Sequence, residues 1–311
     1  MTKHKEWVKG FDNYSRFSLP ENIVRVTGGR GGEAFLIFGE EKTVLYDCGM
    51  AYCADKLITN IENALKRYGA QRVDMLILSH THYDHIGALP LVRNKWKDIV
   101  VCGAQKAKQV FESDGAKNTI CELSKAAARL YAGYEMDIPT TGMFVDKILV
   151  CGEKIDIGNG EHIKVLETKG HTDCSLTYIL EPKGIMFASE TTGVIESPNS
   201  IHVPALKSLK QSIESAHACK NENPRIIICP HFGVVPDDLA AKYFDLFIKH
   251  ADNLRKFVEI RKSQGLTFEN ILKEYEEAVW TPEREAEQPW EAFVINSKNI
   301  VATVFAEISE N

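Results

Sequence analysis

Between Ser79 and Gly87 the chain reads Ser-His-Thr-His-Tyr-Asp-His-Ile-Gly, placing three imidazoles and a carboxylate within six positions. The run follows Val73-Asp74-Met75-Leu76-Ile77-Leu78, whose apolar character predicts a buried strand. At average residue usage, His-x-His-x-Asp-His arises by chance roughly once in a thousand chains or more rarely. Residues two apart on an extended strand exit point the same way, so His80 and His82 can grip one ion. A tight turn then carries Asp84 and His85 off that line, towards a second ion. A polar loop with satisfied histidines is the bland alternative. Ligand density of this kind, in the side chains that borderline divalent metals prefer, argues against it.

Two such pairs cannot close a site, so further ligands must come from other strand ends. His171 lies in Thr168-Lys169-Gly170-His171-Thr172-Asp173, beyond the stretch His162-Ile163-Lys164-Val165-Leu166-Glu167. His231 lies in Cys229-Pro230-His231-Phe232-Gly233, beyond the apolar run Ile226-Ile227-Ile228. Earlier in the chain, Leu45-Tyr46-Asp47-Cys48-Gly49 ends another strand with a carboxylate.

Taken in order, Asp47, the cluster His80 to His85, Gly170-His171-Thr172, an acidic residue after a strand, and Pro230-His231 resemble the metallo-β-lactamase superfamily over roughly residues 20 to 235. The resemblance implies that His80, His82 and His171 hold a first metal while Asp84, His85 and His231 hold a second. Asp47 would hydrogen-bond the ligand loops without touching metal. Where the family usually places a bridging aspartate, this chain reads Ile185-Met186-Phe187-Ala188-Ser189-Glu190-Thr191, which makes Glu190 the candidate bridge. The implied chemistry is hydrolysis, because zinc lowers the pKa of bound water from about 15.7 to about 7. A metal-bridging hydroxide would then attack an ester or thioester carbonyl, with Asp84 and Asp47 serving the site. His202, in Ser200-Ile201-His202-Val203-Pro204, is a candidate for binding substrate or moving a proton.

The expected fold is an α/β sandwich of two mixed β-sheets flanked by helices, with a helical C-terminal extension. Strands are predicted at Ile23–Thr27, Ala34–Phe38 and Thr43–Tyr46, with Gly28-Gly29-Arg30-Gly31-Gly32 as a hairpin turn. Helices follow near Asp55–Tyr68 and Ala88–Trp96. A second half has strands near Lys147–Val150, Ile163–Thr168, Leu176–Leu180, Gly184–Ala188 and Arg225–Cys229, and a helix near Leu206–Cys219. Residues 1–235 are read as the catalytic domain, with a helical insertion at about 104–145 that offers a lid. Residues 236–311 are read as a helical extension with helices near Leu239–Arg261, Thr267–Ala278 and Asn299–Ser309. That extension offers a roof for the pocket or a homodimer interface. The breaks Val279-Trp280-Thr281-Pro282 and Gln288-Pro289-Trp290 separate its helices, and Trp280, Trp290 and Phe293 are expected to be packing residues.

Apolar content of 44% over 311 residues suffices for a large core, and no apolar run is long enough to cross a bilayer. The start Met1-Thr2-Lys3-His4-Lys5-Glu6-Trp7 lacks the apolar stretch of a signal peptide, so the expected location is the cytoplasm. A formal charge of -6 argues against a nucleic-acid partner. The eight cysteines form no Cys-x-x-Cys pair and are expected as reduced thiols, including Cys48, Cys174 and Cys229 beside the metal motifs. Two divalent ions are expected, zinc first, with iron or manganese as alternatives. His-Thr-His-Tyr-Asp-His, Gly-His-Thr-Asp and the C-terminal helices are similar to the thioesterase-like quinolone-signal response group, which implies a small-molecule ester or thioester substrate. Phosphodiester or lactone hydrolysis on the same two ions is the near rival. A metal-containing regulatory or binding protein with vestigial catalysis, which the longer Glu190 would favour, is a different class. The flavodiiron branch, a third reading, has glutamate where His82 stands and normally carries a flavin domain, which this length lacks.

Overall fold

Strand-forming runs alternate with amphipathic helices from Ile23 onward, and the computed structural model shows how they assemble. It describes residues 19–197, 199–231, 233–235, 237–281, 284 and 290–309; the N-terminal heptapeptide, Phe232, Pro282, Gln288 and Pro289 singled out above lie outside them. The class is α/β, with two mixed sheets flanked by helices and further helices towards the C-terminus. The described residues divide into two compact units, one of residues 19–167 and 176–187, the other of 168–175 and 188–309.

The first unit opens with β1 (Ile23–Arg25), β2 (Phe35–Phe38) and β3 (Thr43–Tyr46), an antiparallel meander joined across Gly28–Gly32. Helix α1 (Ala54–Tyr68) follows, burying Leu57, Ile61, Ala64 and Leu65, one stripe at helical spacing. Strand β4 (Met75–Ile77) adds parallel to β3, with Leu45 opposite Leu76. After α2 (Tyr83–Ile86) and α3 (Leu89–Lys95), β5 (Val100–Gly103) pairs parallel to β4. Strand β5 was not among the predicted elements, because a four-residue apolar run carries no period of its own.

The segment 104–145 forms α4 (Gln105–Glu112) and α5 (Asp114–Ala132), with Ser113 capping α5 through its hydroxyl. Helix α5 packs on α2 and on the 3-10 turn Ala51–Cys53. Strand β6 (Lys147–Ile148) completes the first sheet. Strands β7 (Lys154–Gly158), β8 (Glu161–Glu167), β9 (Leu176–Glu181) and β10 (Ile185–Phe187) then form an antiparallel succession. This set faces the first sheet through aromatic side chains: Phe35 meets Phe187 edge-on at 5.9 Å, and Tyr46 meets Tyr178 at 6.1 Å and Phe187 at 5.1 Å. All four are buried. The Tyr178 hydroxyl donates to Leu78 O at 2.7 Å, satisfying its polar tip where β4 ends.

In the second unit, Val194–Ser197 (β11) and Ser200–His202 (β12) form a hairpin that the sequence reading did not resolve. Helix α6 (Leu209–Asn221) starts three residues later than predicted, because the Ser208 hydroxyl accepts from Gln211 N and sets the cap. Strand β13 (Ile226–Cys229) pairs with β14 (Gly233–Val234), and Ala188 N donates to Ile228 O at 2.9 Å. Helix α7 (Asp237–Ala240) precedes α8 (Tyr243–Ser263), α9 (Phe268–Val279) and α10 (Trp290–Ser309), whose mutual packing buries Phe247, Val258, Ile271 and Val304. Trp280, Trp290 and Phe293 form one aromatic cluster with centroids 4.7 to 5.5 Å apart. Among the described residues no helix is long and apolar enough to cross a membrane.

Candidate metal centre

The first group of donors stands where the parallel strands β3 and β4 end, the edge at which open α/β sheets present their ligands. Asp47 follows β3 with a left-handed φ of +49° and is fully buried. Asn and Asp tolerate that conformation better than other non-glycine residues. Its carboxylate accepts from Ser79 N at 2.7 Å, from Ser79 Oγ at 2.6 Å and from His85 Nδ1 at 3.0 Å. Ser79 Oγ, having given its proton to Asp47, accepts from His80 Nδ1 at 2.9 Å. One carboxylate thus fixes two imidazoles, His85 directly and His80 through a hydroxyl. With both Nδ1 atoms acting as donors, the lone pairs lie on Nε2.

His80 and His85 are wholly buried, whereas His82 and Asp84 are half-buried. His80 and His82 each offer a donor atom within 4.8 Å of the other, and so do Asp84 and His85. The glycine segment predicted only as a turn also seats this group. Gly32 N donates to Asp84 O at 3.0 Å, and a Cβ on Gly32 would stand 2.5 Å from His85 Nδ1. Sequence reasoning missed that packing role because it depends on which residue the turn folds against.

The second unit assembles the other candidates. His171 is almost fully buried in the turn after Thr168, and its Nδ1 donates to Pro204 O at 2.7 Å, which again leaves Nε2 as the lone-pair atom. Gly170 has φ of +135° and gives its carbonyl to Lys207 N and Ser208 N, bringing the backbone close to α6. Glu190 opens the 3-10 turn Glu190–Thr192, and its Oε2 lies 3.1 Å from His171 Nε2 and 3.8 Å from His231 Nε2. One carboxylate oxygen therefore stands beside two ring nitrogens, an arrangement of donor atoms that a shared cation would satisfy. His231 keeps 21% and Glu190 14% of its side chain exposed, against 18% for Asp84, so each group has a buried side and a partly open edge.

His202 lies in β12, half-buried, with Nδ1 3.2 Å from Arg284 Nη1. Burial, and next the neighbouring Arg284 cation, hold it well below its ordinary 6.5. Nothing in the sequence pattern pointed to Arg284. Cys48 and Cys229 stay thiols: burial pushes Cys48 far up and Cys229 to about 12. His162 instead pairs with Glu181 at 2.6 Å, and His250 contacts Asn199 O at 3.0 Å.

With this geometry the donors can be compared with known proteins. The sequence model of the Metallo-beta-lactamase superfamily matches residues 27–231, about two thirds of the chain and every candidate ligand. The chain belongs to that superfamily. A metallo-beta-lactamase fold-containing protein of Sulfurisphaera tokodaii is 23% identical over 217 residues, covering 65% of this chain and 72% of that protein. The coenzyme F420H(2) oxidase of Methanothermobacter marburgensis is 26% identical over 161 residues, half of this chain but only 34% of the oxidase. Among solved structures, a metallo-beta-lactamase family protein from Thermus thermophilus superposes with a TM-score of 0.62 at 16% identity, covering 94% of this chain and 95% of that one. A sec-alkylsulfatase from a Pseudomonas species gives 0.60 at 14% identity, covering 94% of this chain and 49% of its own. These likenesses are of fold. Metallo-β-lactamase superfamily members are metallohydrolases that typically bind two divalent metals, and this chain carries candidate His, Asp and Glu ligands for them.

Proposed function

We propose that the chain is a dinuclear metallohydrolase acting on an ester or thioester carbonyl. In this reading His80, His82 and His171 hold one divalent cation, Asp84, His85 and His231 hold the other, and Glu190 bridges or flanks them. The observation that carries it is the tethering of three imidazoles by Nδ1, to Ser79 Oγ, Asp47 and Pro204 O, which presents Nε2 in each case. Histidines that only packed would have no reason to share one tautomer. Nitrogen-rich donors with two carboxylates fit zinc, ferrous iron or manganese, zinc being our first assignment.

When bound, such cations supply Lewis acidity and a water acidified to about pKa 7. The protein's own part is positional: Asp47 holds the His80 and His85 rings, the Pro204 carbonyl holds His171, and His202 faces the substrate. Helix α5 would cover an acyl group as a lid, residues 1–235 forming the catalytic domain and 236–311 its helical extension. A cytoplasmic location and a homodimer through the C-terminal helices belong to the same proposal. The likeness to a sec-alkylsulfatase, and the suitability of two cations for phosphodiesters, define the rivals to be assayed.

The test is to strip cations with a chelator, restore zinc, iron or manganese singly, and assay acyl-CoA thioesters, lactones, phosphodiesters and alkyl sulfates in parallel. Cation-dependent turnover of thioesters or esters above the other classes is expected. Turnover of none of them, with cations bound, would favour the binding-protein class instead.

A further inference from the structure

Arg284 lies beyond the stretch that matches the superfamily, yet it joins the two strands of the β11–β12 hairpin. Its guanidinium pairs with Glu196 on β11 through Nη2 and with His202 on β12 through Nη1. Only 8% of its side chain is exposed, and it stands over the Phe293 ring at 5.7 Å. An arginine so buried is held in place by its carboxylate partner and by the aromatic surface.

A guanidinium has donors only, so the imidazole nitrogen facing it must accept. His202 Nδ1 therefore carries the lone pair, and the neutral ring bears its proton on Nε2. Protonating Nδ1 would set an N–H against an N–H. This tautomer is opposite to that of His80, His85 and His171, whose Nδ1 atoms donate. His202 is thus shaped to offer a proton from Nε2, not to present Nε2 to a cation.

The hairpin also relates His202 to the candidate ligands. Strand β11 begins two residues after the Glu190–Thr192 turn, and β12 ends two residues before Pro204, whose carbonyl holds His171. His202 itself is half-buried. We propose that Arg284 is a positioning residue that locks His202 with its proton on Nε2, and that His202 is a catalytic hydrogen-bond donor to the substrate oxygen that gains negative charge. The second half rests on the hydrolase reading above; the first does not.

The test separates the two. In full-length protein labelled with 15N-histidine, with and without zinc, long-range proton–nitrogen spectra report which ring nitrogen of His202 is bare. A bare Nδ1 at neutral pH is expected in the unaltered chain. Arg284→Ala is expected to release a mixture of tautomers, while Arg284→Lys, still a pure donor, retains the original one. A proton on Nδ1, or a tautomer indifferent to Arg284→Ala in a protein that melts normally, overturns the lock. Against p-nitrophenyl ester and acyl-CoA probes, His202→Ala is expected to lower kcat on the order of 10²-fold with little change in KM. Arg284→Ala loses part of that, and adding it to His202→Ala loses nothing more. Independent losses would overturn action through His202. Turnover of no probe by the unaltered chain defeats the hydrolase reading and the donor role together, leaving the tautomer to decide the lock.

Discussion

In the turn after β4, four donors come from six consecutive residues and a single buried carboxylate, Asp47, orients two of them. His171, Glu190 and His231 come from three separate loops, and their support is a backbone carbonyl at Pro204 and the backbone approach at Gly170. Both groups pair buried imidazoles with partly open edges, at His82 and Asp84 in the first and at Glu190 and His231 in the second. A contiguous group can be held by one strong acceptor because its members share a strand end. A dispersed one needs a separate tether for each member, and its geometry is only as fixed as the loops that carry it.

The strongest attack on the first group is Asp84→Ala with His85→Ala. It is expected to abolish cation-dependent turnover and lower the bound metal found by elemental analysis while the melting temperature stays near that of the unaltered chain. Retained full activity would break the comparison at its root. Asp47→Asn keeps a residue suited to positive φ but weakens acceptance from Ser79 and His85, so cation affinity, measured by chelator competition, is expected to fall about 10- to 100-fold.

Paired glycine substitutions sharpen the contrast. A Cβ on Gly170 would meet Ser212 Oγ at 2.2 Å and Ser212 N at 2.6 Å from a φ of +135°, so Gly170→Ala is expected to cost about 1 to 3 kcal/mol or more in denaturant unfolding. Gly32→Ala presses chiefly on the His85 ring, so its cation affinity should fall before its stability does.

The smallest effect concerns acid. His202 is held below 6.5 in the folded chain while the unfolded chain titrates near that value, so the unfolded state binds more protons as pH falls through about 6.5. Stability is lost below that pH, and His202→Gln should flatten this part of the melting-temperature profile. An unchanged profile would show that His202 is not the group concerned.

The histidine-rich turn was legible in the sequence because its ligands are neighbours; α1 and α8 were legible to within a few residues because their apolar periods are intact, and β3 and β4 because Asp47 and the histidine run mark their ends. His171 and His231 were legible as histidines just beyond predicted strands, and Glu190 only through the order of motifs along the chain. By itself the sequence determined which side chains can bind a divalent cation and that strands deliver them. Tertiary structure decided which nitrogen each ring presents, that Gly32 backs His85, and that Arg284 reaches His202 from 82 positions away. Tautomers are set by hydrogen-bond partners, and those partners are chosen by how the chain packs, which no local pattern of residues encodes.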